Sequence, residues 1–295
     1  MQQKEKRVGE EVEKALRREI TLPELPEVET IRRELSRRII NKRIISCSIL
    51  RKEVIEYPGP ASFRKSITGE EITAVIRRAK YLIIELTNQK RLIFHLRLSG
   101  TVLLKKPGCA PERFTRVIIG LNGLQLFFNE PRVLGRIYLQ HRNKRYKIPK
   151  GLYTLGYEPI SPEFDFNYLR SKIKGRKARI KSLLLDQHIC AGVGNIYSDE
   201  ALFHAGITPL RRADRLTTEE ILKLVFSLKD VLNKAIDNFG TSVSDYHRID
   251  GEEGNFQKYL YVYSREGEPC RICGTEIALT KISNRSTRFC PKCQK

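Results

Sequence analysis

The chain has 295 residues, of which 40% are hydrophobic and 30% charged, with 19 glycines and 13 prolines. These values are ordinary for a globular protein and exclude a collagen-like repeat or a largely disordered chain. No apolar run reaches the roughly 18 residues that span a bilayer, and the N-terminus has no apolar signal region. We therefore expect a cytoplasmic protein that does not act at a membrane.

Net charge gives the first indication of function. Lys and Arg number 55 against 34 Asp and Glu, so the formal charge is +21. Such a surface can simply be solvated, or it can neutralise the phosphates of a polyanion and gain affinity by counterion release. No basic amphipathic helix dominates the sequence, so nucleic acid is favoured over an anionic membrane surface.

The first 21 residues are mostly charged or Gln and predict a tail. From Val28 to Ile39, apolar residues recur at three- and four-residue spacing, and Pro26 stands at the entry. This pattern predicts an amphipathic helix with proline in its first turn.

Six short runs with strand character follow and are separated by Gly and Asn turn signals. They cover residues 43–50, 72–78, 81–86, 91–98, 116–121 and 124–128. Because no helix-length segment alternates with them, an antiparallel sandwich or barrel is favoured over a doubly wound sheet. Gly and Pro cluster at 149–162, where we place the end of this domain.

The next segment has helical periodicity. Apolar patterns predict helices near Ile180 and Ile196, and Thr217 with Glu220 forms a capping box before a third. The polar loop 240–255 then leads to the C-terminal region; a loop of this length is functional or mobile.

The sequence GVGN at 192–195 immediately precedes the Ile196 helix. Its glycines allow the backbone to approach a ligand closely, Asn195 is suited to the N-cap, and the free amides could bind a phosphate. Taken alone, the motif is weak evidence, because an ordinary tight turn is the more frequent explanation.

Four cysteines at the C-terminus have the C-x2-C…C-x2-C spacing of a zinc site, in which two tight turns complete a tetrahedron of thiolates. They are Cys270, Cys273, Cys290 and Cys293. Two disulfides are the alternative, which a chain without a secretion signal disfavours. We expect the other three cysteines, Cys47, Cys109 and Cys190, to be small buried apolar residues.

Five motifs in this order resemble the bacterial formamidopyrimidine-DNA glycosylase family. They are PELPEVET at 23–30, RRAKYL at 77–82, GVGNIY at 192–197, GEPCRICG at 267–274 and RFCPKCQK at 288–295. The resemblance covers essentially everything after Leu22. It implies an α+β multidomain protein that binds duplex DNA containing oxidised bases or abasic sites, with one structural Zn²⁺ and no obligate protein partner.

The resemblance also implies domain limits. We expect an N-terminal antiparallel β-sandwich at 23–150, a helix-two-turn-helix domain at 151–255 and a β-hairpin zinc finger at 256–295. Residues 1–22 are expected to be a removed or non-native extension, with Leu22 marking a start codon other than AUG.

By the same resemblance, the catalytic residues are Pro23, Glu24, Lys80 and Arg285. Pro23 would attack the anomeric carbon of the sugar as a free N-terminal amine, which requires that nothing precede it. Glu24 would protonate the sugar ring oxygen, Lys80 would contact phosphate and assist elimination, and Arg285 would grip the kinked backbone.

Further residues are implied in DNA binding. Arg132 would pair with the base left opposite the everted nucleotide, while Leu98 and Leu134 take the places of two inserted side chains that are usually Met and Phe. Val133 stands where a second arginine is common. The remaining predicted DNA contacts are Arg176, Lys181 and Asn195.

Three functions remain open at this point. The first is a glycosylase and abasic-site lyase for oxidised purines such as 8-oxoguanine and formamidopyrimidines. The second is an endonuclease VIII type of enzyme for oxidised pyrimidines. The third is a non-catalytic binder of damaged DNA, which follows if Pro23 stays acylated. A zinc-finger transcription factor is disfavoured because it would not need the PELPEVET start.

Overall fold

The computed structural model describes residues 22–144, 146, 149–243 and 246–295. The predicted tail therefore lies outside the described residues. The first element is helix α1, Leu25–Ile39, with Pro26 in its first turn as the sequence predicted. Val28, Ile31, Leu35 and Ile39 are fully buried, so the predicted apolar face packs into the core of the N-terminal domain.

Two sheets form the N-terminal β-sandwich. One has the strand order β1-β7-β8-β6 and the other β2-β9-β5-β4-β3. The strands are β1 Ile44–Ile49, β2 Ile55–Tyr57, β3 Ile72–Arg78, β4 Tyr81–Leu86, β5 Lys90–His95, β6 Thr101–Lys105, β7 Thr115–Leu121, β8 Leu124–Asn129 and β9 Arg136–His141. All six predicted runs are strands, and their inward side chains share one core with α1.

Two details of this domain differ from the prediction. A short helix, α2 at Pro60–Ile67, lies between β2 and β3, where no helix was expected. Its proline start and the buried pair Phe63 and Ile67, four residues apart, are the signal that was missed. Strand β2 also pairs parallel to β9, so the antiparallel description fails for this one pair.

In the described part of the second domain there are four α-helices: α3 Phe166–Ile173, α4 Ile180–Leu185, α5 Asn195–Ala205 and α6 Thr218–Asp237. The capping box is confirmed, because the Thr217 hydroxyl accepts the Glu220 N–H and the Glu220 carboxylate accepts the Thr217 N–H. Helix α1 contacts both β3 and α6, so it lies where the two domains meet.

The C-terminal region is a two-stranded antiparallel hairpin of β10, Ala278–Ile282, and β11, Arg285–Phe289. Strand β11 packs on α5, which joins the hairpin to the helical domain. Among the described residues, no helix is long and apolar enough to cross a membrane. The predicted architecture of β-sandwich, helical domain and β-hairpin is confirmed.

Candidate active site

A cavity of about 660 Å³ lies between the three parts of the chain. Glu24 comes from the start of α1, Lys80 from the β3–β4 turn, Asn195 from the start of α5 and Arg285 from β11, and all four line it. Pro23 is buried immediately before Glu24. The fold therefore brings together four predicted residues that are separated by up to 261 positions in sequence.

The GVGN turn binds a carboxylate. Glu24 accepts the N–H of Gly194 at 2.5 Å and that of Ile196 at 2.9 Å, so this side chain already occupies the anion position at the start of α5. The N-cap of α5 is Gly194, and Asn195 is its first residue, so the N-cap prediction for Asn195 was wrong. A Cβ on Gly194 would lie 2.6 Å from Glu24 Oε1, which explains why glycine is needed here.

Burial raises the pKa of Glu24 to about 7, against the opposing effects of Lys80 and the two amides. The pKa of Lys80 is lowered, chiefly by burial and with Glu24 acting in the opposite direction. Lys80 Nζ also donates to the carbonyl of Val193 at 3.1 Å. Near neutral pH, Glu24 can therefore hold a proton and release it, as a general acid must.

The turn that carries Lys80 is fixed from outside its own sheet. Ala79 has a positive φ of 50°, and its N–H donates to the Glu158 carboxylate at 2.6 Å. Arg77 and Arg78 pair with the same carboxylate at 2.8 and 3.0 Å. Because Glu158 lies in the segment that joins the two domains, the position of Lys80 depends on how this segment packs against the sandwich.

The three predicted DNA-inserting side chains lie on two loops of the sandwich. Leu98 is partly buried after β5, whereas Arg132 and Leu134 are exposed between β8 and β9. The two loops meet at Glu130, whose carboxylate accepts the Ser99 hydroxyl and the N–H of Arg132.

The structure does not support Lys181 as a DNA contact. Its side chain is completely buried, and Nζ lies 2.7 Å from Asp199 Oδ1. The same ammonium donates to Thr287 Oγ1 at 2.9 Å and to the Ser286 carbonyl at 3.0 Å, so it ties α4 to the C-terminal hairpin. Arg176, by contrast, is exposed in the turn between α3 and α4.

The four C-terminal cysteines form one cluster, with sulfur atoms within 4.8 Å of one another. The sulfurs of Cys273 and Cys290 are 3.4 Å apart, and those of Cys270 and Cys293 are 3.9 Å apart. A tetrahedron of thiolates around zinc needs separations of about 3.8 Å. The residues therefore fit one structural Zn²⁺. Of the other cysteines, Cys47 and Cys190 are buried as expected, but Cys109 is exposed.

Comparison with known proteins identifies the family. The formamidopyrimidine-DNA glycosylase N-terminal domain matches residues 22–137, its H2TH domain matches 155–247, and the zinc finger found in FPG and IleRS matches 267–295. The formamidopyrimidine-DNA glycosylase of Pelotomaculum thermopropionicum is 43% identical over 275 residues, covering 93% of this chain and 99% of that protein. The chain belongs to the formamidopyrimidine-DNA glycosylase family.

Solved structures agree with this assignment. A variant of the Lactococcus lactis FPG protein in complex with Fapy-dG-containing DNA has a TM-score of 0.87 at 36% identity, covering 92% of this chain and all of that one. The Lactococcus lactis protein with DNA containing an abasic site has a TM-score of 0.85, at the same identity, and covers 92% and 99%. As a formamidopyrimidine-DNA glycosylase, the protein acts in DNA repair.

The residues that line the cavity of this glycosylase include several that the sequence did not predict, among them His95 and Arg97. The Arg97 N–H donates to His95 Nδ1 at 3.2 Å, which leaves the proton on Nε2. Burial, followed by the charge of Arg97, lowers the pKa of His95 to about 3, so the ring is neutral. The available signal was a histidine at the end of a buried strand, directly before a Leu-Arg-Leu sequence.

Proposed function

We propose that this formamidopyrimidine-DNA glycosylase removes oxidised purines, such as 8-oxoguanine and formamidopyrimidines, from duplex DNA and then cleaves the strand as an abasic-site lyase. One observation carries the proposal. Glu24 is a fully buried carboxyl group with a pKa of about 7, facing a cavity that also contains Lys80, and it directly follows Pro23.

The proposed reaction begins with Pro23 as the free N-terminus. Its nitrogen forms a bond to C1′ of the damaged nucleotide as the bond from C1′ to the base breaks, and the base leaves with that electron pair and takes up the proton that the proline nitrogen loses. Glu24 gives its proton to the ring oxygen O4′ as the C1′–O4′ bond breaks and the sugar opens. The product is an iminium between Pro23 and the opened sugar. It withdraws electrons as the 3′ and then the 5′ phosphate are eliminated, and water finally releases the sugar fragment from Pro23.

The other cavity residues suit the handling of DNA. Lys80 and Arg285 both line the cavity and can contact phosphates flanking the nucleotide, and Asn195 lines the same cavity. Such a cavity can be reached only by a nucleotide that has left the stack. Arg132, Leu98 and Leu134 would then fill the space that it leaves.

Borohydride trapping tests the proposal. Protein with Pro23 at its N-terminus, verified by intact mass, should form a covalent adduct with an 8-oxoguanine duplex, because borohydride reduces the iminium. Glu24→Gln should lose base release while still binding the duplex. As a matched control, Glu53→Gln changes an exposed carboxylate on the same domain and should behave as wild type.

Two results would overturn the proposal. An active protein that retains residues before Pro23 would exclude its nitrogen as nucleophile, since an acylated proline has no available lone pair. Faster cleavage of a thymine glycol duplex than of an 8-oxoguanine duplex would instead assign oxidised pyrimidines as the preferred substrates.

A further inference from the structure

Glu130 is a completely buried carboxylate at the end of β8. One oxygen, Oε1, accepts the Ser99 hydroxyl and the Arg132 N–H, the latter at 3.0 Å. The other, Oε2, accepts the Gly135 N–H at 2.8 Å. A single side chain therefore joins two segments of backbone that are more than thirty residues apart.

Both segments cross from one sheet to the other at the same end of the sandwich. Residues 96–100 lead from β5 in the five-stranded sheet to β6 in the four-stranded sheet, and residues 130–135 lead back from β8 to β9. We call them the Leu98 loop and the Arg132 loop. Ser99 directly follows Leu98, so the carboxylate lies at the base of both loops.

The Arg132 loop needs support because its backbone is strained. Val133 has a φ of 56°, a left-handed conformation that is unfavourable for a β-branched side chain. The carboxylate also packs directly on the loop, since a Cβ on Gly135 would lie 2.7 Å from Glu130 Oε2. Buried hydrogen bonds to a charged acceptor are strong enough to hold such a conformation.

We propose that Glu130 is a positioning residue that holds the two loops as one rigid unit, so that Leu98, Arg132 and Leu134 enter damaged DNA together. This inference rests on the proposed function, in which these side chains fill the space left by the everted nucleotide. Because the loops are already ordered in the free protein, binding does not carry the entropic cost of ordering them. The protein therefore has a higher affinity for the kinked duplex.

The opposite end of β5 supplies a matched control. Glu70 is also buried and accepts the Thr87 hydroxyl, the Asn88 amide and the Lys90 ammonium, the last at 2.7 Å. It supports the β4–β5 turn, in which Asn88 has a left-handed φ of 53°. Glu70→Gln thus also replaces a buried carboxylate that supports a turn, but at a turn away from the DNA-inserting side chains.

Amide hydrogen exchange of the free protein tests the coupling without depending on activity. In Glu130→Gln, the new NH2 group must face a donor, either Gly135 or the Ser99–Arg132 pair, so one connection is lost at constant volume. We expect faster exchange in both loops. Ser99→Ala, a milder change, should also speed exchange in the Arg132 loop, although the substitution lies in the other one.

Equilibrium binding tests the role in DNA entry. We expect Glu130→Gln to lower the affinity ratio for a duplex with a tetrahydrofuran abasic analogue over an undamaged duplex by on the order of tenfold. Ser99→Ala should lower the ratio less, and Glu70→Gln should leave it unchanged.

Several results would overturn the inference. Exchange in Ser99→Ala confined to the Leu98 loop would show that the loops are not coupled. An unchanged affinity ratio in Glu130→Gln, or an equal fall of that ratio in Glu70→Gln, would show that Glu130 has no specific role in DNA entry. Failure of the proposed function can be distinguished from failure of this inference. In the first case the wild-type protein would form no covalent adduct with damaged DNA in the presence of borohydride.

Discussion

The buried ion pair between Lys181 and Asp199 should stabilise the fold rather than bind DNA. In Lys181→Met, a side chain of similar length fills the space but the ammonium is gone. Asp199 then retains the Arg288 N–H at 3.0 Å, without the cation that lay 2.7 Å away. Breaking a buried pair in this way costs about 3 to 5 kcal/mol.

Protonation of Asp199 limits this cost. At pH 7, transferring a proton to a carboxyl group whose ordinary pKa is 3.8 takes about 4 kcal/mol, at about 1.4 kcal/mol per pH unit. In Lys181→Met, loss of the cation raises the pKa of Asp199 in the folded state above its value in the unfolded state. The free energy of unfolding of this variant therefore increases as the pH falls. In the wild-type protein burial raises the pKa of Asp199 to about 6. The wild-type free energy of unfolding therefore increases in the same way only below that pH.

Urea unfolding followed by circular dichroism should therefore show the largest difference between the two proteins at pH 8. As the pH is lowered from 8 to 6, the difference in free energy of unfolding between the two proteins should decrease by about 1.4 kcal/mol per pH unit. Below pH 6 it should stay constant. Lys177→Met, which changes an exposed lysine nearby, is the control and should cost almost nothing. A Lys181→Met protein of normal stability that shows a weaker salt dependence of DNA binding would refute the reasoning and restore Lys181 as a phosphate contact.

Three further predictions concern the active site and the zinc module. Because Glu24 must be protonated to act as an acid and its pKa is about 7, single-turnover base release should fall about tenfold per pH unit above that value; a rate that is flat to pH 9 would contradict this. Gly194→Ala should slow base release on the order of a hundredfold without unfolding the protein, because the new Cβ would displace Glu24. In the control, Gly59→Ala, the new Cβ has no atom within 4 Å, so the rate should not change. Removal of zinc by a chelator should weaken duplex binding, measured by fluorescence anisotropy, before the β-sandwich unfolds, because Arg285 lies on the hairpin that the metal staples.

The strongly patterned elements could be predicted from the sequence. The apolar face of α1, six of the strands and the capping box of α6 each depend on local periodicity or spacing that the sequence displays directly. Strands β2, β6 and β9 were missed because they are short or lie next to loops with mixed composition. The parallel pairing of β2 with β9 depends on the packing of the whole domain, which no local pattern contains.

The motifs identify several residues that line the cavity, but not the neighbouring groups that set their pKa values and positions. GVGN indicated an anion site, yet the anion is Glu24 of the same chain, 170 positions earlier. The pKa of Glu24 depends on burial among three segments, which composition cannot give. Lys181 shows the converse. It lies in a domain predicted to bind DNA, and nothing in the local sequence indicates that it pairs with Asp199.

The contact between Glu24 and α5 has a consequence for protein synthesis. The carboxyl group is made with the first segment of the domain, but the amides of Gly194 and Ile196 leave the ribosome some 170 residues later. An exposed glutamate with an ordinary pKa of about 4.3 holds a proton in only about one molecule in 500 at pH 7. In the proposed mechanism, a translation product that ends before Gly194 and Ile196 therefore has no functional acid, and base removal begins only after α5 has been made and has packed against Glu24.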